Sequence, residues 1–311
     1  MKRPTGNLWL ETFFARKTTE MVPNRDLTGK TIIFTGGTDG MGRVAVERFA
    51  EMGADICLFG RNLEKTQRVV DELIAAGHKG QFSVVQCDLG LLDQVRRAAA
   101  EVLERFERID YLINCAGINM SERKLTPDGF EVNFAVNYLG PYLLTELLLE
   151  RIKATPGGRI IQLVSGTQQV AKLNFEDLQL ENKWSLLASY AQAKLCLIMH
   201  GRDVAKRLVD SDTTINCLNP GYIKSNLGRD SKGLSRVFGA LFGKLAAPTW
   251  VGGERIVAAA LDEKYQQASG EFIYEDILLA PNPLALDDAN VARMKEITLQ
   301  MTGLAPAQAA E

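Results

Sequence analysis

Histidine is almost missing from this chain: His78 and His200 are the only two in 311 residues. A histidine-based zinc site therefore has no ligand set to draw on. Cysteine is too sparse for a covalent framework. Cys57, Cys87, Cys115, Cys196 and Cys217 are odd in number, scattered and mostly inside apolar runs, which reads as buried reduced thiols in a cytoplasmic protein rather than disulfides or metal ligands. An excess of one charge is missing too. With 36 basic and 38 acidic residues the formal net charge is -2, and no block of like charges compensates, which argues against nucleic acid as a main partner. The apolar runs fall short of the ~20 residues that a bilayer crossing needs, and residues 1–28 carry no signal-peptide pattern. What remains, 46% hydrophobic and 24% charged residues, is the balance of a soluble globular protein.

Apolar runs and helical spacings then alternate along the chain. Thr31-Ile32-Ile33-Phe34 reads as a buried strand entering a turn at Thr35-Gly36-Gly37, and Val44, Val46, Phe49, Ala50 and Met52 follow a helical spacing until Gly53. Ile56 to Phe59 forms a second strand, and Asn62 is placed to cap a helix whose periodic face includes Leu63, Val69, Val70, Leu73 and Ile74. The alternation continues with strands over 82–86, 111–113, 159–164 and 214–218, and helices over 91–106, 130–149 and 190–209. Strands separated by helices of this length predict an α/β fold with a parallel sheet covered on both faces. No composition break divides the chain, so residues 29–311 are expected to form one domain behind an extension, residues 1–28. In that extension Leu8, Trp9, Leu10, Phe13 and Phe14, with Arg16 and Lys17 following, would place an apolar stripe on a short helix. Such a stripe suits packing on the body or on a partner copy, or peripheral membrane contact.

Two stretches carry chemistry. Between the first strand and helix, Gly36, Gly40 and Gly42 allow a tight turn that approaches a pyrophosphate closely, with the following helix aiming free N–H groups at the phosphates. Alone, such a turn is as readily mere punctuation. Far downstream, Ser189-Tyr190-Ala191-Gln192-Ala193-Lys194 puts a phenol and an ammonium on one helix face. A tyrosine pKa near 10 is about three units too high for proton transfer near neutrality, a deficit of about 4 kcal/mol. A cation ~4 Å away at an effective dielectric of ~20 is worth roughly that amount. An isolated copy of this pattern is usually a solvated helix face, so its company decides the matter.

That company resembles the short-chain dehydrogenase/reductase family. The matching marks are Thr35 to Gly42, Asp88-Leu89, Asn114-Cys115-Ala116-Gly117, Asn137, Ser165, Tyr190 with Lys194, and Pro220-Gly221, in the family's order and across most of the chain. Phe130 to Gly140, the insert Lys172 to Leu178 and the tail Leu299 to Leu304 are similar to the retinol-dehydrogenase-like branch. The resemblance implies a Rossmann-type doubly wound sheet with substrate-loop insertions. It also implies roles: Tyr190 exchanges the proton of a carbonyl or alcohol oxygen, Lys194 depresses the tyrosine pKa and holds the nicotinamide ribose, Ser165 hydrogen-bonds the reacting oxygen, and Asn137 orders a water with its amide. Hydride comes from the cofactor, so no metal or protein nucleophile is needed.

Further cofactor contacts follow from the same resemblance: Gly36, Thr38, Asp39, Gly40, Met41 and Gly42 in the first turn; Asp88 and Leu89; Asn114, Ala116 and Gly117; Pro220, Gly221, Ile223 and Ser225. Two departures stand out. The usual Ser-Ser pair is Val164-Ser165 here, followed by Gly166, and Ser165 precedes Tyr190 by 25 residues because of the insert, whose loop would form substrate walls or surface padding. After the second strand, Phe59-Gly60-Arg61-Asn62 has glycine where an acid would bond the adenine ribose and arginine next, which favours NADP(H) over NAD(H). Asp39, where some NADP enzymes carry a base, runs against that preference. The branch implies a lipophilic alcohol or carbonyl substrate, and the family's paired helices imply a homo-oligomer. Residues 226–250, with Leu234, Val237, Phe238, Leu241, Phe242, Leu245 and Trp250, suit an amphipathic lid or an ordinary packed helix. The expected function is an NADP(H)-dependent oxidoreductase for a hydrophobic small molecule. The rival is a catalytically idle NADP(H)-binding sensor or scaffold, which has no chemical need for Asn137, Ser165, Tyr190 and Lys194 together.

Overall fold

Strands β1 (Thr31–Thr35), β2 (Asp55–Gly60), β3 (Phe82–Gln86), β4 (Tyr111–Asn114), β5 (Arg159–Leu163), β6 (Thr214–Asn219), β7 (Phe272–Tyr274) and β8 (Ile277–Leu279) join one sheet in the order β3-β2-β1-β4-β5-β6-β7-β8. The computed structural model describes residues 18–224 and 246–305. The apolar stripe expected over residues 8–14, Ser225 and residues 226–245 of the expected lid lie outside the described residues.

The helices are α1 (Gly40–Glu51), α2 (Leu63–Ala75), α3 (Leu92–Arg105), α4 (Gly140–Lys153), α5 (Leu186–Arg207), α6 (Thr249–Leu261) and α7 (Asp288–Thr302). Side chains alternate across each strand, so the two faces of the sheet bury different sets. Ile33, Cys57, Leu112, Ile160 and Ile215 pack with α3, α4 and α5. Ile32, Phe34, Ile56, Leu58 and Ile161 pack with α1, α2 and α6. Helices on both faces explain why most strand positions are apolar, and the expected doubly wound architecture is what forms. From β1 to β7 neighbouring strands run parallel, whereas β8 runs antiparallel to β7. Only two residues, Glu275 and Asp276, separate β7 from β8, and a connection that short can only reverse the chain.

Strand order reverses between β1 and β4, and ligands of open parallel sheets bind at the strand C-terminal ends beside such a switch point. Register brings the relevant ends together: Thr35 lies between Phe59 and Asn114, and Gly60 pairs with Gln86. The helix expected over 130–149 is more complex than its periodicity shows. It begins as a turn, Val132–Phe134, passes through a π-helical stretch, Ala135–Leu139, and continues as α4. Pro141 has no N–H, so the ordinary i+4 donor to the carbonyl of Asn137 does not exist. Helix α5 starts at Leu186 rather than 190 because Ser185 caps it, its Oγ accepting from Ala188 N at 3.2 Å. Helix α7 packs across α5, with Tyr138 and Thr298 hydroxyls 2.7 Å apart and Lys295 Nζ 3.1 Å from Asp203. All five cysteines are free thiols, and no helix among the described residues is long and apolar enough to cross a membrane.

Candidate active site

Tyr190 and Lys194 project from one face of α5, with Lys194 Nζ 5.7 Å from the centre of the Tyr190 ring. The lysine is 3% exposed, and its ammonium donates to the carbonyl of Leu163, the last residue of β5, at 2.8 Å. Two residues on, Ser165 caps a 3-10 turn, Gly166–Val170, its Oγ accepting from Thr167 N at 3.3 Å, and its hydroxyl is near enough to the Tyr190 phenol to favour the ionised form. Behind that turn Asn282, which sequence reasoning missed, fixes its backbone: Nδ2 donates to the carbonyls of Gln168 and Ala171 at 2.9 and 3.1 Å. Phenol, hydroxyl and ammonium thus meet at the end of one strand.

The protonation states differ from the single-neighbour arithmetic. Burial pushes the Tyr190 phenol up to about 12, and the Ser165 hydroxyl only partly opposes it. Burial also pulls Lys194 down to about 8. Desolvation penalises both charged forms, so it outweighs the help the ammonium was expected to give the phenol. Burial thus favours the neutral phenol at Tyr190.

Asn137 also departs from its expected use. Its amide accepts from Ile118 N at 3.1 Å and donates to Ile118 O at 3.0 Å and Asn133 O at 2.8 Å. The side chain therefore braces the segment after β4 and has no donor left for a water. What the sequence could have disclosed is the backbone: Pro141 removes the ordinary i+4 N–H donor to the Asn137 carbonyl.

The first turn forms a close cradle. Gly36 has φ 77°, and a Cβ there would lie 2.6 Å from Ala116 N. A Cβ on Gly42 would meet Gly36 O at 2.2 Å. Thr35, absent from the expected contacts, links the two switch-point strands, its Oγ1 accepting from Ala116 N at 3.2 Å. A dinucleotide fits this turn because the glycines at 36 and 42 let backbone close up where a Cβ could not stand. Gly42→Ala should shift the backbone at a cost of about 1–3 kcal/mol. The check is a thermal melt with and without NADPH, in which a ligand-induced rise is expected for the wild type and should vanish in the variant.

Other expected contacts divide. Asp39 caps α1, its Oδ1 accepting from Gly40 N at 2.8 Å, while Lys65 Nζ lies 3.4 Å from its other oxygen. Asn62 caps α2, accepting from Lys65 N at 2.8 Å. Arg61 is largely exposed, with Nη1 4.0 Å from Asp88, and Asp88 accepts from Gly90 N at 2.9 Å. Asn114 turns its side chain into the core, where Nδ2 donates to Thr145 at 2.9 Å, and Leu89 is buried there too. Those two can meet a ligand through backbone alone. Ala116 and Gly117 are half-buried beside the turn, and Met41 packs against Ile223, Ala247 and Val251. Pro220 and Gly221 follow β6 directly alongside Ser165, because Val164 N donates to Leu218 O at 2.8 Å. Lys65, Arg43, Arg68 and Lys224 also line a groove of about 590 Å³ with Thr38 and Asp39, a cationic edge that no local motif announced.

Gly60 has a steric cause. A Cβ there would lie 1.8 Å from Thr66 Oγ1, and that hydroxyl donates to Asn62 O at 2.8 Å. An acid at this position would have to displace the start of α2. The insert after Ser165 is likewise anchored: Gln192 Nε2 donates to Leu178 O at 2.6 Å, and the Arg293 guanidinium lies 4.5 Å from the centre of the Phe175 ring.

A glycine cradle at the switch point facing a serine, tyrosine and lysine defines a nicotinamide-dependent oxidoreductase, and comparison with known proteins agrees. The sequence model of the family described as short chain dehydrogenase matches residues 30–233, and the chain belongs to that family. It is similar to human retinol dehydrogenase 13, 32% identical over 89% of this chain and 86% of the relative. It is also similar to bovine retinol dehydrogenase 12, 30% identical over 89% and 88%. The chain is thus a retinol-dehydrogenase-like member and an NAD(P)-dependent oxidoreductase. Among solved structures, an uncharacterised protein from Mycobacterium paratuberculosis superposes with a TM-score of 0.72, at 25% identity, over 90% of this chain and 95% of that one.

Proposed function

We propose that this chain is an NADP(H)-dependent reductase or dehydrogenase that interconverts a ketone or aldehyde with an alcohol on a lipophilic small molecule. The observation that carries the reading is the Tyr190 ring set 5.7 Å from the Lys194 ammonium, which is itself anchored on the strand end that leads into Ser165. The cofactor supplies the hydride; the chain supplies the proton and holds the oxygen. Tyr190 gives its proton to the carbonyl oxygen during reduction, and Ser165 donates to that oxygen as charge gathers there. Lys194 holds the ribose, and a water is assigned to the Asn137 carbonyl, since both amide donors of its side chain are already used. Arg61 and Lys65 recognise the adenosine phosphate. Residues 29–311 act as one dinucleotide-binding and catalytic unit, and cytoplasmic location and self-association belong to the same proposal.

A panel of lipophilic ketones, aldehydes and alcohols, run with NADPH and NADH and followed by nicotinamide absorbance, tests it. Turnover should appear, with kcat/KM higher for NADPH by about tenfold or more. Tight NADPH binding without turnover on any of them would favour a binding-only protein.

The lysine gives a pH test. Dinucleotide binding that uses the ammonium favours protonated Lys194, which is present below its pKa of about 8 and lost above it. Kd should therefore rise above that pH, by up to about tenfold per unit. Titrations between about pH 7 and about pH 10 check this. The Lys194→Met variant should bind weakly with a flat profile, and a flat wild-type profile would remove the ammonium from the binding site.

A further inference from the structure

Helix α6 carries consecutive buried ionic residues, Glu254 and Arg255. Glu254 serves the N-terminal segment, accepting from Val22 N at 3.1 Å. Arg255 points to the site. Its Nη1 donates to the carbonyl of Pro220 at 2.7 Å, and its Nη2 bonds Glu275 Oε2 at 3.1 Å, with both side chains under 5% exposed. Glu275 comes from the β7–β8 turn, where its backbone φ is 58°. Glycine takes that conformation freely and a residue with a Cβ resists it, so the hairpin by itself favours glycine at 275.

The turn after β6 rests directly on the pair. Gly221 has φ 80°, and a Cβ there would lie 2.6 Å from Glu275 Oε1 and 2.9 Å from Arg255 Nη1. Asn219 joins the same assembly: its side chain accepts from Gly221 N at 3.2 Å and its carbonyl from Glu275 N at 2.8 Å. On the far side, Lys224 N donates to Ala247 O and Ala247 N to Tyr222 O, both at 2.8 Å.

Two charges removed from water lose about as much hydration as their attraction returns, so an apolar pair would hold the hairpin to α6 equally well. An apolar pair could not grip a loop carbonyl. A forked guanidinium holds a carbonyl and a carboxylate at once and so fixes the direction of the loop backbone. We propose that Arg255 and Glu275 are positioning residues for the nicotinamide end of the cofactor, holding the backbone of residues 220–223 in the path that receives it. This rests on the dinucleotide reading above.

The test is the double variant Arg255→Met, Glu275→Met, whose side chains are unbranched at Cβ like the originals. NADPH and its adenosine half, 2′,5′-ADP, are titrated against it and the wild type, with NADH and ADP in parallel. The melting temperature and the affinities for the adenosine halves should stay close to wild type, while whole-dinucleotide Kd rises by about tenfold or more. Unchanged dinucleotide affinity in the folded variant, or an equal loss for the adenosine half, overturns the proposal. If the double variant fails to fold, Arg255→Lys keeps the charge but gives up the fork, and an unchanged ratio of the two affinities there overturns it as well. A wild type that binds neither dinucleotide would instead remove the cofactor reading, and this proposal with it.

Discussion

Tyr190→Phe should bind NADPH as the wild type does and turn over roughly a thousandfold more slowly. Binding survives because the ammonium of Lys194 is held by the Leu163 carbonyl at 2.8 Å and not by the phenol. Ser165 keeps its cap on the turn, with Thr167 N donating to its Oγ at 3.3 Å. What disappears is the proton donor, and serine cannot replace it, since an alkyl hydroxyl is a far weaker acid than a phenol. A fluorescence titration and a turnover assay on one preparation decide the matter. A rate within about tenfold of wild type would mean that the oxygen takes its proton elsewhere.

Arg61→Ala should weaken NADPH by about ten- to hundredfold while leaving NADH within about threefold. The Arg61 side chain is 76% exposed and lies 4.0 Å from Asp88, so it is free to turn to a phosphate at the cost of that long contact. The acid that would select the unphosphorylated cofactor is excluded at Gly60 by Thr66. Asp39 limits the preference, and its pairing with Lys65 at 3.4 Å keeps that carboxylate from facing a phosphate unneutralised. Equal losses for both cofactors in parallel titrations would remove the role of Arg61.

The strands from β1 to β6 were legible because helices cover both sheet faces and most strand positions are apolar, with only single polar interruptions such as Ser83, Gln162 and Asn216. The candidate site was legible because the glycine turn, Ser165 and Pro220 follow strands in a recognisable order and Tyr190 and Lys194 lie one helical turn apart. Long-range pairing was not. Glu275 and Arg255 meet only once β7 lies beside β6, Asn282 reaches the Ser165 turn across 114 residues, and three-residue strands such as β7 and β8 show no periodicity. Local spacing put Tyr190 next to Lys194 correctly but carried no measure of burial, and burial decides both protonation states. It likewise could not tell that the Asn114 and Asn137 side chains brace the scaffold.

The most direct measurement uses NADPH deuterated at the reacting nicotinamide carbon with the best carbonyl substrate from the screen, the alcohol product being weighed by mass spectrometry. One deuterium on the carbinol carbon, with label transfer slowed in step with turnover in Tyr190→Phe, is the predicted result. Unlabelled alcohol from the deuterated cofactor, or transfer at the same rate in both proteins, would contradict a site in which the nicotinamide gives the hydride and Tyr190 the proton.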